Sequence, residues 1–505
     1  MSKAILDVRA ARRALQNARG KQKLELILAA PDPEQLVRAL PAEELYFALL
    51  EIGPDDAAEL VAMAAPEQFR HLVDMAAWRG TDEGPRTEEV ARWLRLAREG
   101  GDDAARFRAQ LGSLDLELLA LLLRRQLVVH DLVENEEPPT PENPGLAFYT
   151  PDRRFLLELT GPAGFATLRQ LVEDLYAEDP FGAGQLIEAA RWELPTELEE
   201  SARHWRDGRL RDAGVPGFDE AISFYARPAA QKPAASGAAP EPQALAQASR
   251  PLLDAALDQL EGGELERAEE AVVYAANAAL VANRVSLHDP DEVREQLADA
   301  RATLSLGLEL LSSGDPRRAA AVLVEGPIRS VFQAAVGEGY RLQARARNIA
   351  ARARLPQAQS ATVLDEPLES VVQGLLRARP AFHEPGQRRP RALGSRADVL
   401  RAEALLDEAE AELALLAALG IPPAVLGPRA EEAGLGPAAV KASAALRALV
   451  ETQLRGEPFS LRGAADEPGA RAAGFDEKLD ELLRGASRGG IDGRVSDRLR
   501  TMLRR

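Results

Sequence analysis

Pro33-Glu34-Gln35-Leu36, Pro41-Ala42-Glu43-Glu44-Leu45, Pro54-Asp55-Asp56-Ala57 and Pro66-Glu67-Gln68-Phe69 open four consecutive segments in the same way. Their prolines are spaced by 8, 13 and 12 residues. A proline fits the first position of a helix, where its missing N–H is one no helix uses. The acidic and amide residues behind it suit the positive end of the helix dipole. Apolar residues follow at helical spacing, among them Leu45 and Leu49, Val61, and Phe69 and Val73. Each segment therefore predicts a helix of about ten residues with one apolar stripe. Helices this short are not stable alone. They have to stack on one another, so the expected fold is mainly α, an α-solenoid or helical-hairpin array.

Composition agrees with packed helices. Of 505 residues, 46% are hydrophobic and only 5% aromatic, which favours Ala- and Leu-rich helix contacts over sheets. A chain this long exceeds one core, so several domains are expected. The absence of cysteine excludes disulfides, thiolate nucleophiles and Cys-type zinc sites. A formal net charge of −18 argues against nucleic acid as a partner. Only six lysines occur, and the dominance of arginine beside Ala, Gly and Pro reads as a GC-rich bacterial genome. The opening Met1-Ser2-Lys3-Ala4-Ile5-Leu6-Asp7 lacks the apolar run of a secretion signal, and charges interrupt Leu114 to Val129, the most apolar stretch. A cytoplasmic location without membrane insertion is expected.

Outward from the four segments, residues 1–30 form a basic N-terminal helix and residues 31–140 the short-helix repeats. An apolar helix is expected at 114–133, ending in His130-Asp131 as a cap or core position. The β signal is Leu146–Thr150 and Phe155–Leu159 around Pro151-Asp152-Arg153-Arg154, a small hairpin at about 146–160 within a region 141–227 that is otherwise helical. Residues 228–243 read as a flexible linker. A helical-hairpin domain follows at 244–420, with a long helix from about 397, and a partly helical, partly ordered region at 421–505. Gly262-Gly263-Glu264-Leu265 and Ser313-Gly314-Asp315-Pro316 resemble the turns of tetratricopeptide repeats, at an offset of 51 residues.

Leu40-Pro41-Ala42-Glu43-Glu44-Leu45, Gly53-Pro54-Asp55-Asp56-Ala57-Ala58-Glu59-Leu60 and Ala65-Pro66-Glu67-Gln68 resemble the cytosolic N-terminal domain of MgtE-type magnesium channels and, more weakly, the helical repeats of the motor switch protein FliG. The resemblance covers residues 31–78 and implies a superhelical regulatory domain that responds to magnesium. No channel is implied, because no membrane span accompanies it. Asp74-Met75-Ala76-Ala77-Trp78, Tyr149-Thr150-Pro151-Asp152, Ala190-Arg191-Trp192-Glu193 and Arg396-Ala397-Asp398-Val399 resemble a family of large helical bacterial proteins known only as a domain of unknown function.

Catalytic motifs do not emerge: His71, His130, His204, His288 and His383 show no metal spacing, and the Gly182 and Gly337 pairs complete no phosphate loop. No catalytic residue and no cofactor is assigned. Oxygen-rich metal candidates are Asp55, Asp56 and Glu59, and the loop Glu134, Glu136 and Glu137. Interaction candidates are Glu59 and Glu67 on the acidic helices, and Arg388, Arg389 and Arg391 in a basic loop. Trp78, Trp93, Trp192 and Trp205 sit at helical positions and are expected in the core. The function expected is a helical scaffold or regulatory protein with a protein partner. A magnesium- or ligand-responsive regulator is the alternative, and an enzyme using Glu, Asp and Arg chemistry the second alternative.

Overall fold

The computed structural model describes residues 18, 20–78, 84–133, 140–161, 164–227, 251–356, 361–462, 473–488 and 493–504. The chain divides into two compact units, Met1–Ala221 with Asn277–Gln296, and Ile222–Ala276 with Leu297–Arg505. The expected linker at 228–243 and the acidic loop at Glu134, Glu136 and Glu137 lie outside the described residues, as does most of the basic segment before Lys21.

Among the described residues, eight short helices come first in the first unit: α1 (Lys21–Leu28), α2 (Pro33–Ala39), α3 (Ala42–Ile52), α4 (Ala58–Met63), α5 (Pro66–Ala76), α6 (Thr87–Glu99), α7 (Ala104–Leu111) and α8 (Leu116–Gln126). Pro33 and Pro66 take the first helical position as expected. Pro41 stands one residue earlier, and Pro54 opens a turn four residues ahead of α4, because Gly53 bends the chain at φ 102°. Each helix packs on its next-but-one neighbour, α1 on α3, α2 on α4, and so on to α6 on α8. Leu45, Leu49, Val61, Phe69 and Val73 are all fully buried in the resulting core. Leu49→Ala should therefore cost about 2–5 kcal/mol in a denaturant melt, while substitutions at exposed Glu59 and Glu67 should stay within about 0.5 kcal/mol; a Leu49 effect below that surface range would refute the packing.

Two buried glutamines tie helices that are three apart. Gln68 on α5 donates to the Val37 and Leu40 carbonyls at 3.0 and 2.7 Å, at the end of α2. Gln110 on α7 donates to the Val61 and Ala64 carbonyls at 3.0 and 2.8 Å, at the end of α4. The last carbonyls of a helix have no partner within it, and here a side-chain amide supplies one.

The expected hairpin is present and gains a third strand. β1 (Leu127–Asp131), β2 (Ala147–Tyr149) and β3 (Phe155–Leu159) form an antiparallel sheet in the order β1-β3-β2. The apolar helix expected to run to 133 thus stops at Gln126. Val128 and Val129 are β-branched and prefer the extended chain, and Gln126 turns its carbonyl to Thr160 and Gly161 instead. His130 and Asp131 are strand residues rather than a helix end. Phe155, Leu156, Leu157 and Glu158 are buried one after another, the pattern of a strand covered on both faces. Tyr176 donates to Asp152 at 3.1 Å and docks the turn on a helix. That helix is α9 (Phe165–Glu178), followed by α10 (Pro180–Trp192), α11 (Pro195–Asp212) and α12 (Phe218–Ser223).

Beyond residue 250 come α13 (Leu252–Leu257), α14 (Gly262–Ala282), α15 (Pro290–Ser312), α16 (Pro316–Glu325), α17 (Ile328–Ala353) and α18 (Leu368–Leu375). The sequence continues with α19 (Arg396–Ala418), α20 (Pro423–Ala433), α21 (Ala442–Arg455), α22 (Phe475–Arg488) and α23 (Gly493–Arg504). The turn expected at 313–319 is a helical hairpin: Ser313 and Gly314 take positive φ, and Asp315 caps α16 by accepting from Arg318 N at 2.9 Å. Residues 277–296, counted with the first unit, are fixed there by His288. Arg86 donates to its Nε2 at 2.6 Å, which leaves the ring proton on Nδ1, 3.3 Å from the Tyr46 hydroxyl. Among the described residues no single helix is long and apolar enough to cross a membrane; α19 and α20 meet that measure only jointly, across a 69° bend.

Candidate functional site

The acidic candidates are spread out on the surface. Asp55 accepts from Arg92 at 2.5 Å and from Arg95 at 2.8 Å, and those hydrogen bonds hold its carboxyl below the usual range. Asp56 lies 3.9 Å from Lys21. Glu59 and Glu67 are exposed. Among the described residues no group of three or more His, Asp or Glu side chains is placed to hold a metal ion. In the basic loop, Arg388 and Arg389 are exposed. Arg391 is turned inward: its guanidinium bonds both Asp398 oxygens at 2.8 and 2.9 Å, reaches Glu384 at 3.1 Å and lies over the Phe382 ring. It staples the loop to the start of α19 and is committed to that role.

The tryptophans divide differently from expectation. Trp78 and Trp93 are buried, but Trp192 is 66% exposed and Trp205 52%. Trp192 ends α10, and the Pro195 start of α11 swings the chain away before the ring can be covered. Leu194 beside it is 56% exposed, and Leu116 at the head of α8 is 66% exposed. Both rings are held nonetheless. The Arg191 guanidinium stacks on Trp192 at 4.5 Å. Trp205 donates from Nε1 to Glu117 on α8 at 3.3 Å, and the His204 ring stands edge-on to it at 5.5 Å. Glu193, Glu197 and Glu200, which lie between the two tryptophans in the chain, are exposed. Exposed rings that are already fixed can bury large area at little entropic cost, which is what an interface anchor needs.

One helical turn beyond Trp205 lies a partly buried ionic bridge, in which only Asp74 is fully enclosed. Arg209 on α11 donates to both Asp74 oxygens at 2.8 Å and to both Asp115 oxygens at 2.8 and 2.7 Å. Burial works against its charge, yet the two carboxylates hold its pKa above the ordinary arginine value. Arg206, one turn earlier, donates to the Asp74 carbonyl at 2.9 Å and covers the Trp78 ring. The bridge fixes α5, the start of α8 and α11 together, so Trp205 on α11 stands on a rigid base.

The second unit holds another charged centre that the sequence reading missed. Glu412, in the Ala- and Leu-rich α19, is fully buried. It accepts from Asp365 N at 3.2 Å and pairs with Arg498 of α23, which also reaches Glu408 at 3.4 Å. Asp365, itself buried, accepts from the Ser443 N and Oγ, both at 2.7 Å. Burial pushes the Glu412 carboxyl up to about 8, with Arg498 opposing and Asp365 adding to the rise. Glu412 stands three and four residues from the buried Ala409 and Leu416, so helical spacing alone marks its side as the inner one. A cleft of about 500 Å³ opens beside Arg498, between Glu366, Pro367, Asp497, Thr501 and Met502.

These features define a mainly α-helical protein with one small antiparallel sheet, charged bridges inside it and aromatic rings displayed outside. The chain belongs to the family of unknown function DUF6178, whose profile matches residues 2–468. No curated protein and no solved structure matches the chain. The likeness of residues 31–78 to the magnesium-channel domain finds no support in these comparisons.

Proposed function

We propose that the protein is a helical interaction scaffold whose first unit binds a protein partner through the Trp192–Trp205 face. The observation that carries this reading is the pair of tryptophans, more than half exposed yet each held in place by a neighbouring side chain. Solvent-exposed tryptophan that is already ordered is a typical interface hot spot. Exposed Glu193, Glu197 and Glu200, in the chain between the two rings, favour a partner that brings basic and apolar residues together. The next-but-one packing of α1 to α8 supports a stacked, repeat-like array behind the face.

The test compares full-length protein with a Trp192→Ala, Trp205→Ala variant as bait in the native host. Removing two anchors should weaken a direct partner about 30-fold, from about 2 kcal/mol of hot-spot energy, with the melting temperature unchanged. Recovery of the same partners in the same amounts by both baits would end this reading.

A further inference from the structure

A cavity of about 200 Å³ lies among α6, α7 and α9 of the first unit, where α7 packs on both of the others. Its walls are Leu94 of α6, Phe107 of α7, and Leu168 and Leu171 of α9, all of them buried. Exposed Glu99 also lines it, so the cavity reaches the surface. One ion pair stands among these apolar side chains. The Asp174 side chain is 7% exposed, and its Oδ2 accepts from Arg98 Nε at 3.2 Å and from Gln170 at 3.4 Å. Arginine and carboxylate frequently close on each other through two parallel bonds. This pair stays open. Among the described residues, Asp174 Oδ1 accepts no hydrogen bond and the two terminal nitrogens of Arg98 donate none. The Arg98 guanidinium lies over the Phe107 ring, 5.7 Å from its centre, which fixes its plane.

We propose that this cavity binds a free α-amino acid with an apolar side chain. Asp174 Oδ1 calls for a donor, which the ligand's ammonium supplies. The terminal nitrogens of Arg98 call for an acceptor, which its carboxylate supplies. Leu94, Phe107, Leu168 and Leu171 receive the side chain. The charged residues lining the cavity are Arg95, Arg98, Glu99 and Asp174, which cancel one another. A ligand that is neutral overall yet carries both charges side by side matches such a lining. A simple amine or a simple acid would add a net charge and leave one of the two open groups without a partner. The volume is below the roughly 300 Å³ at which ligand pockets usually begin, which limits the occupant to a small metabolite. The site uses helices other than those that carry Trp192 and Trp205, and so stands apart from the partner-binding reading of that face.

Isothermal titration of the full-length protein with L-leucine and with L-phenylalanine tests this. At least one of them should bind saturably. The matching amines, isoamylamine and phenethylamine, and the matching acids, isocaproate and hydrocinnamate, each lack one of the two charges and should bind at least about tenfold more weakly. Asp174→Asn and Arg98→Gln should each lower the amino acid's affinity by at least about tenfold. Ala91→Leu, which fills the cavity and leaves the ion pair in place, should abolish binding. Melting curves without ligand report whether each variant folds. The Arg98 side chain is 33% exposed, so Arg98→Gln is the variant to rely on if Asp174→Asn unfolds. The proposal is overturned if neither amino acid binds at concentrations up to about 10 mM, or if an amine or acid binds as tightly as its amino acid. It is equally overturned if folded Arg98→Gln or Ala91→Leu protein binds the amino acid as wild type does.

Discussion

Replacing Arg209 by alanine is expected to destabilise the first unit by about 3–5 kcal/mol, the usual consequence of leaving buried charges without their counter-ion. Two carboxylates lose their cation at once. The Asp74 side chain is almost wholly enclosed, so water cannot take over its solvation. Arg209→Lys should recover only part of the loss, because one ammonium cannot present the paired N–H groups that now meet both carboxylates. Equilibrium denaturation of the three proteins measures this directly. A loss under about 1 kcal/mol for the alanine variant would show that the bridge is not what joins α5, α8 and α11.

The second large effect is a dependence of stability on pH centred on Glu412. Its carboxyl is raised to about 8 in the folded protein, first by burial. A raised acid binds its proton more tightly when folded, so its contribution is complete below the unfolded value near 4.5 and is lost as pH rises through about 8. The second unit should then be less stable at pH 9 than at pH 6, by about 2 kcal/mol or more. Asp365 is shifted the same way by burial, so some slope should survive in Glu412→Gln. Carboxylates held low, among them Asp55 through Arg92 and Arg95, act in the opposite sense, but only below their ordinary titration range. Melting curves of wild type and Glu412→Gln at pH 6 and 9 separate the two windows. Equal slopes in the two proteins would remove Glu412 as the source.

The elements legible in the sequence were those written in local pattern. Proline, acid and apolar stripe marked α2, α3 and α5, and the Phe155–Leu159 run marked β3. What escaped depended on contacts distant in the chain. Val128 and Val129 have strand propensity, but they follow an apolar helix without a break, and only pairing with Glu158 and Leu157 makes them β1. Trp192 and Trp205 lie at helical positions indistinguishable from those of Trp78 and Trp93. Their exposure follows from the direction in which α11 leaves Pro195. Asp74, Asp115 and Arg209 are separated by 41 and 94 residues, and nothing local ties them. In the candidate sites, Arg391 read as a free cation because Asp398 and Glu384 flank it at distances that matter only after the loop folds.

The glutamine ties have a bearing on how such a chain can change length. Gln68 serves carbonyls three helices back, and Gln110 does the same from two helices further on. Losing or gaining a single helix between donor and acceptor would present each amide to the wrong turn and strand several carbonyls away from water. Length variation in this segment should therefore come in pairs of helices, which preserve the stagger, or in the loops outside it. A lone-helix deletion should be tolerated only with replacement of both glutamines, a coupling that links positions far apart in the chain through the spacing between them.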